Sequence, residues 1–241
     1  MDKTFLTLCS PPDAEATASA NLSDWKGYKN HRSVSLLLEA INQFAVRYAT
    51  SLYPCTSTQR YLPAMVEYFT SAMDLAGEQL VLEGDIEMQH HSMRIVCRAW
   101  SDNSRHRLVA DAAIVVHPVQ LPEKVTPTTT EDLMIPLWEI LTQNSEHCDF
   151  RLNGSNPLFS EHFPGNPVCP GSLLIDLLLS TLLQPFEQRM LKLKKVKFIR
   201  PVRPEQVYRL TFASASGKQM NNFLIIADNG ERHVSGSYSL S

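Results

Sequence analysis

A chain of 241 residues, 44% hydrophobic and with a formal charge of −3, has material for more than one compact core and no positive excess with which to hold a nucleic acid. Five cysteines, an odd number without a Cys-x-x-Cys pair, argue against a disulfide framework or a zinc cluster and for a reducing compartment. No apolar run reaches membrane-spanning length, and Asp2 with the short Phe5-Leu6-Thr7-Leu8 stretch makes a poor signal peptide, so a cytoplasmic protein without a membrane span is expected.

In chain order, the first strong element is Ser33 to Val46, a mostly apolar helix that carries one carboxylate, Glu39. Gln43 follows Glu39 by four residues, the spacing that shares a helix face, so its amide can hydrogen-bond and orient that carboxyl. Met65 to Asp74 reads as a strand. Gln79 to Gly84, Ile86 to Arg98 and Arg107 to His117 read as β-rich segments, with Ser101-Asp102-Asn103-Ser104 as a turn. His90-His91 has no carboxylate or cysteine at metal-ligand spacing and reads as a solvent-facing or cross-strand pair. Pro118 to Asp132, with three prolines and a threonine run, reads as a linker.

The richest stretch is His162-Phe163-Pro164-Gly165-Asn166-Pro167-Val168-Cys169-Pro170-Gly171. Three prolines and two glycines in ten residues stop helix and central strand alike and place His162 on a stiff loop. From Ser172 to Leu183 the chain is apolar at nearly every position, as in a helix buried on all sides, with Pro185 as its stop. Asp176 is the one carboxylate in it and is costly there unless protonated or hydrogen-bonded. The N–H groups at the start of that helix, Gly171 first, can hold a developing negative charge. Cys169 could serve as a thiol nucleophile, but no dedicated base beyond His162 is in view, which favours small core packing. Lys192, Lys194, Lys195, Lys197, Arg200 and Arg203 read as a solvated strand and its ends, or as a docking face for an acidic partner. Val207 to Ser214, Asn222 to Ala227 and Arg232 to Leu240 read as strands, and Asn229-Gly230 as a hairpin turn.

The His162 segment resembles the signature of the β-hydroxyacyl-acyl carrier protein dehydratases (FabA/FabZ-like), which have the hotdog fold. Their pattern is His-Phe-Pro-Gly-x-Pro-x-x-Pro-Gly with an acidic residue fourteen positions after the histidine, the place Asp176 holds here. Asn156 to Glu161 looks like the family's lead-in loop, and Lys195 to Pro204 like the strand after its helix. Resemblance extends over roughly Asp149 to Leu240. Glu161 stands where a glycine is usual, and Ser180 where the family has a glutamine one turn after the acid.

The first half repeats the plan, with the Glu39 helix laid over the Asp176 helix and strands following each. The expected fold is α+β: a double hotdog, two antiparallel sheets each wrapped around a long central helix, forming a pseudo-dimer. An N-terminal hotdog would occupy residues 1–118, a linker 119–132 and a C-terminal hotdog 133–241. In the family it resembles, each site takes its histidine from one hotdog and its acid from the other. Overlaying the halves puts Trp25 where His162 stands and His31 where Val168 stands, so the first half lacks a catalytic histidine. The expectation is one composite site, His162 with Glu39, and a degenerate site around Asp176.

The resemblance implies a dehydratase that converts a 3-hydroxyacyl thioester on an acyl carrier protein to the trans-2-enoyl thioester, in fatty-acid, polyketide or polyene biosynthesis. His162 would be the base, with the Val168 carbonyl setting its tautomer. Gly171 N–H would hold the thioester oxygen, and Glu39, oriented by Gln43, would be the acid. No cofactor is implied beyond the carrier's phosphopantetheine, and further oligomerisation stays open. A hotdog acyl thioesterase and a non-catalytic acyl-carrier binding module are the alternatives.

Overall fold

A computed structural model describes residues 7–25, 27–56, 58–73, 75, 79–101, 107–120, 135–162, 166–182, 190–213 and 219–241. Phe163, Pro164 and Gly165 of the motif, most of the expected linker, the turn residues Asp102 to Ser104 and the expected helix stop at Pro185 lie outside them. Eleven strands and two long helices make up the described chain. In order they are β1 (Thr17–Asn21), α1 (Ser33–Leu52), β2 (Gln59–Ala72), β3 (Gln79–Gln89), β4 (Ser92–Trp100), β5 (Leu108–Gln120), β6 (Trp138–Gln143) and β7 (His147–Leu152). A one-turn helix α2 (Leu158–Glu161) follows, then α3 (Gly171–Leu182), β8 (Met190–Phe198), β9 (Val207–Phe212), β10 (Asn221–Ala227) and β11 (Arg232–Leu240).

Two separate sheets were expected; the strands instead form one antiparallel sheet in the order β1-β3-β4-β5-β2-β8-β11-β10-β9-β7-β6. Fusion occurs where β2 pairs with β8, from Met65 against Lys197 to Ala72 against Met190. The order is mirrored about that seam: β2, β5, β4, β3 and β1 on one side answer β8, β11, β10, β9 and β7 on the other, with β6 added at the far edge. Each half therefore lays down a strand, a long helix and then four strands. Pro63 interrupts β2 outside its seam with β8, where a missing N–H costs no cross-seam bond.

β8 runs from Met190 to Phe198, beginning upstream of Lys195 and ending before Arg200. Leu191, Leu193 and Val196 point inward while Lys192, Lys194, Lys195 and Lys197 are exposed, the period-two alternation of a half-buried strand. The two adjacent exposed lysines are reconciled by a bulge. Lys195 sits at φ 49, and the register with β11 shifts between Ser235 and Ser237, so one residue is inserted and the alternation resets.

Both helices are buried well beyond one stripe, because each lies between the sheet and its partner helix. In α1, Val34, Leu36, Leu37, Leu38, Ala40, Ile41, Phe44 and Ala45 are buried; in α3, every residue from Ser172 to Leu179 is. α1 ends where the Tyr53 N–H reaches the Ala49 carbonyl at 2.9 Å and Pro54 follows. The glycine at position 84 of β3 makes room for this helix: a Cβ there would lie 2.6 Å from the Phe44 ring and 2.8 Å from the Val96 carbonyl oxygen.

Gly84→Ala should therefore lower the unfolding free energy by about 1–3 kcal/mol, the usual cost of overpacking a core, as read by urea denaturation. In a Phe44→Leu background part of that penalty should disappear. Strict additivity of the two substitutions would show that the ring and Gly84 do not share the space.

Candidate active site

The loop that carries His162 is clamped at both ends. Asn156 holds the start of α2: its Oδ1 accepts from the Leu158 N–H at 2.9 Å, and its Nδ2 donates to the Ile135 carbonyl at 2.7 Å. His162 then closes the turn, its N–H reaching the Leu158 carbonyl at 2.8 Å. Downstream, the Arg203 guanidinium donates to Asn166 Oδ1, and the Cys169 N–H to the Val202 carbonyl at 2.9 Å. The segment 201–203 that supports these contacts is itself braced. Arg203 N–H bonds Tyr208 Oη at 3.0 Å, and His233 Nδ1 donates to the Pro201 carbonyl at 2.9 Å.

Gly171 is the first residue of α3, and only glycine fits there: a Cβ would come within 2.2 Å of the Phe198 ring. Leu173 and Leu174 N–H groups already bond the Pro170 carbonyl, at 3.1 and 3.3 Å. Gly171 and Ser172 are thus the residues whose N–H groups have no partner within the helix, the position at which a helix start presents donors to an anion. Val168 is partly buried just ahead of it.

Against this helix start lies Glu39 from the other half of the chain. Ser172 Oγ donates to Glu39 Oε2 at 2.6 Å, with Ser172 fully buried and Glu39 6% exposed. Gln43 Nε2 donates to Glu39 Oε1 at 3.1 Å, and Gln43 Oε1 accepts from the Leu8 N–H at 3.0 Å. That second bond fixes the amide's orientation, since a backbone N–H can only donate. Asn42 adds a further amide near the carboxyl, and its Oδ1 is buried without a hydrogen-bond partner among the described residues.

Asp176 is placed differently. It lies 1% exposed in α3, with Oδ2 bonded to His31 Nδ1 at 2.8 Å. Its Oδ1 accepts from Ser35 Oγ at 3.1 Å, Arg32 N–H at 3.2 Å and Arg32 Nη1 at 3.3 Å. Arg32 Nη1 also donates to Ser180 Oγ at 2.7 Å, and Ser180 Oγ donates to the Asp176 carbonyl at 2.8 Å. Trp25 stacks on the His31 ring at 5.0 Å and Trp138 meets its edge at 5.7 Å, so the imidazole is packed between two indoles. Both carboxyl oxygens are engaged by fixed groups of the protein.

Burial shifts both Glu39 and His162 from their ordinary values. It holds the Glu39 carboxyl above its ordinary range, against the opposing hydrogen bonds from Ser172, Gln43 and Asn42. The same cause lowers the His162 imidazole to about 4. A glutamate ordinarily gives up its proton before a histidinium does; burial moves the two groups in opposite directions, the carboxyl toward keeping its proton and the imidazole toward losing it. Burial, and then the Glu39 charge, push the Cys169 thiol up, which keeps it an unreactive thiol. Among the described residues no group of three or more His, Cys, Asp or Glu side chains is arranged to hold a metal ion.

Ser172, Ser35, Asn42 and Arg32 did not stand out in the sequence. The overlay that lays Glu39 on Asp176 also lays Ser35 on Ser172 and Gln43 on Ser180, so the paired serines carried a signal that composition alone hides. Arg32 and Asn42 have no such counterpart, since Cys169 and Leu179 stand at the corresponding positions.

Residues 139–237 match the family model described as ApeI-like, ApeI dehydratase. The bifunctional enzyme LpxC/FabZ of Porphyromonas gingivalis is 34% identical over 93 residues, covering 34% of this chain and 20% of that protein. The chain thus matches about one fifth of that relative's length. Among solved structures, the 12:0-ACP thioesterase of Umbellularia californica superposes with a TM-score of 0.57 at 9% identity, over 88% of this chain and 91% of that one. HtdX of Mycobacterium tuberculosis superposes with a TM-score of 0.52 at 9% identity, over 87% and 89%. Likeness at that identity is likeness of fold, and it extends over both halves of the chain.

The Asp176 cluster should act on stability. Asp176→Ala strands Arg32 and His31 at the helix interface and should lower the unfolding free energy by about 3 kcal/mol, the scale for breaking a buried ion pair, as measured by urea denaturation at neutral pH. A change below about 0.5 kcal/mol, the scale of an ordinary surface substitution, would show that the cluster does not join the helices.

Proposed function

We propose that this chain, whose residues 139–237 belong with the FabA/FabZ-like hotdog dehydratases, is a tandem double hotdog that dehydrates a 3-hydroxyacyl thioester through one composite site. The substrate would be presented on the phosphopantetheine arm of an acyl carrier protein, and the product would be the trans-2-enoyl thioester. One observation carries the reading. Glu39 from the first half is held by neutral donors, Gln43 from its own helix and Ser172 from the helix start that follows the His162 loop of the second half, whereas Asp176 is tied to Arg32 and His31.

In this scheme neutral His162 removes a proton from the carbon next to the thioester carbonyl. Charge develops on the thioester oxygen, where the Gly171 N–H and the α3 dipole stabilise it. As the carbon–carbon double bond forms, the 3-hydroxyl departs with the proton of Glu39 and leaves as water. Burial moves both partners toward the protonation states these tasks require, lowering His162 and raising Glu39. The other half lacks the parts for this cycle: Trp25 stands in the sequence place of the base, and Asp176 is tied to the Arg32 guanidinium where Glu39 meets neutral donors.

A second reading, acyl thioester hydrolysis, is favoured by the fold likeness to a thioesterase, while the His162 motif speaks for dehydration. Incubation with a 3-hydroxyacyl carrier protein and mass spectrometry separates them: dehydration leaves an enoyl chain attached, hydrolysis releases the carrier thiol. Tight binding without turnover would instead mark a binding module.

His162→Ala and Glu39→Gln should each lower kcat by about 10²–10⁴-fold, the range for losing a general acid or base, and Asp176→Asn by less than either. The opposite ranking would move the site to Asp176. The pH dependence follows from the same assignments. His162 must be neutral, so kcat/KM should fall on the acid side only near its value of about 4; Glu39 must be protonated, so the rate should fall as pH rises through its elevated value. An acid limb near the ordinary histidine value of 6.5 would contradict the burial of the base.

A further inference from the structure

Ser172 occupies the junction of the two halves. It follows Gly171 at the start of α3, is fully buried, and places its hydroxyl 2.6 Å from Glu39 Oε2. The other carboxyl oxygen faces Gln43, whose amide is locked by the Leu8 N–H so that it presents Nε2 to Glu39. Gln43 can thus donate to Glu39 and can never accept its proton. A serine hydroxyl has no such restriction, because the same oxygen donates to a carboxylate and accepts from a carboxylic acid by rotating one bond. A proton on Oε2 thus meets an acceptor in the Ser172 hydroxyl, whereas the Gln43 amide offers none to a proton on Oε1. The mirrored contact, Ser35 to Asp176, lacks this freedom because Arg32 donates to the same Oδ1.

We propose that Ser172 is a positioning residue for the acid: its hydroxyl keeps the Glu39 proton on Oε2, beside the helix start that receives the thioester, and replaces that proton with a donated hydrogen bond once it has left. The inference rests on the reading of Glu39 as the acid. It couples the two halves, since the helix that follows the base's loop also holds the acid supplied by the other half. Loss of the hydroxyl removes a donor to the charged form, which raises the Glu39 carboxyl further and leaves its proton free to point elsewhere.

The test compares Ser172→Ala and Ser172→Thr in the full chain, with a 3-hydroxyacyl N-acetylcysteamine thioester as substrate. S172A should lose about 10- to 100-fold in kcat, the worth of a hydrogen bond to a charged group, with KM within about twofold. Its alkaline limb should move up by about one pH unit, and S172T, which keeps the hydroxyl, should restore both. An unchanged kcat, an unmoved limb, or a threonine variant no better than alanine would overturn the proposal. Infrared titration supplies a readout independent of turnover: the carboxyl band that Glu39→Gln removes should titrate at higher pH in S172A, and coincident titrations would overturn the proposal. Full turnover by E39Q would overturn the assignment of the acid, a distinguishable failure because the infrared band would still move. Should S172A fail to fold, Ser172→Cys, which keeps the volume with a weaker donor, carries the same comparison.

Discussion

The two central helices are joined by an exchange: near the start of each, a serine hydroxyl donates to a carboxyl on the other. Ser172 of α3 reaches Glu39 of α1, and Ser35 of α1 reaches Asp176 of α3. A buried carboxyl without such partners would cost several kcal/mol, so the helices can lie together only in the register that satisfies both. The seam between β2 and β8 sets the same relation from the sheet side. With both constraints met, the start of α3, which follows the His162 loop in the chain, lies against Glu39 of α1.

Symmetry of scaffold does not carry symmetry of chemistry. At one end the carboxyl has neutral amides and a hydroxyl around it, so burial governs its proton. At the other, a guanidinium and an imidazole face the carboxyl, and two indoles enclose the imidazole. An ion pair of that kind joins the two helices across their interface. The two carboxyls thus share a place in the scaffold and differ in what surrounds them, neutral donors at Glu39 and an ion pair at Asp176.

Legibility in the sequence varied with how local each feature is. α1 and α3 are plain in the apolar runs from Val34 and from Leu173, and β9 to β11 in their residues and in the Asn229-Gly230 turn, where Gly230 takes φ 82, whereas the strand read from Lys195 to Pro204 runs instead from Met190 to Phe198. β1 and β6 are short edge strands of mixed polarity, Thr17–Asn21 and Trp138–Gln143, and nothing in their residues marks them as paired. Their partners, β3 and β7, supply that information. The single sheet was likewise invisible, because the pairing of Val66 with Val196 depends on where two separately formed halves meet.

For the site, the sequence by itself determined the stiff His162 loop, the glycine at the helix start and the two buried carboxyls with their i,i+4 neighbours, because prolines, glycines and helical spacing act over a few residues. Tertiary structure decided which donors each carboxyl meets. Arg32 and His31 find Asp176, and Ser172 finds Glu39, across more than half the chain; hydrogen-bond partners and burial are properties of the packed interface, and no local pattern encodes them.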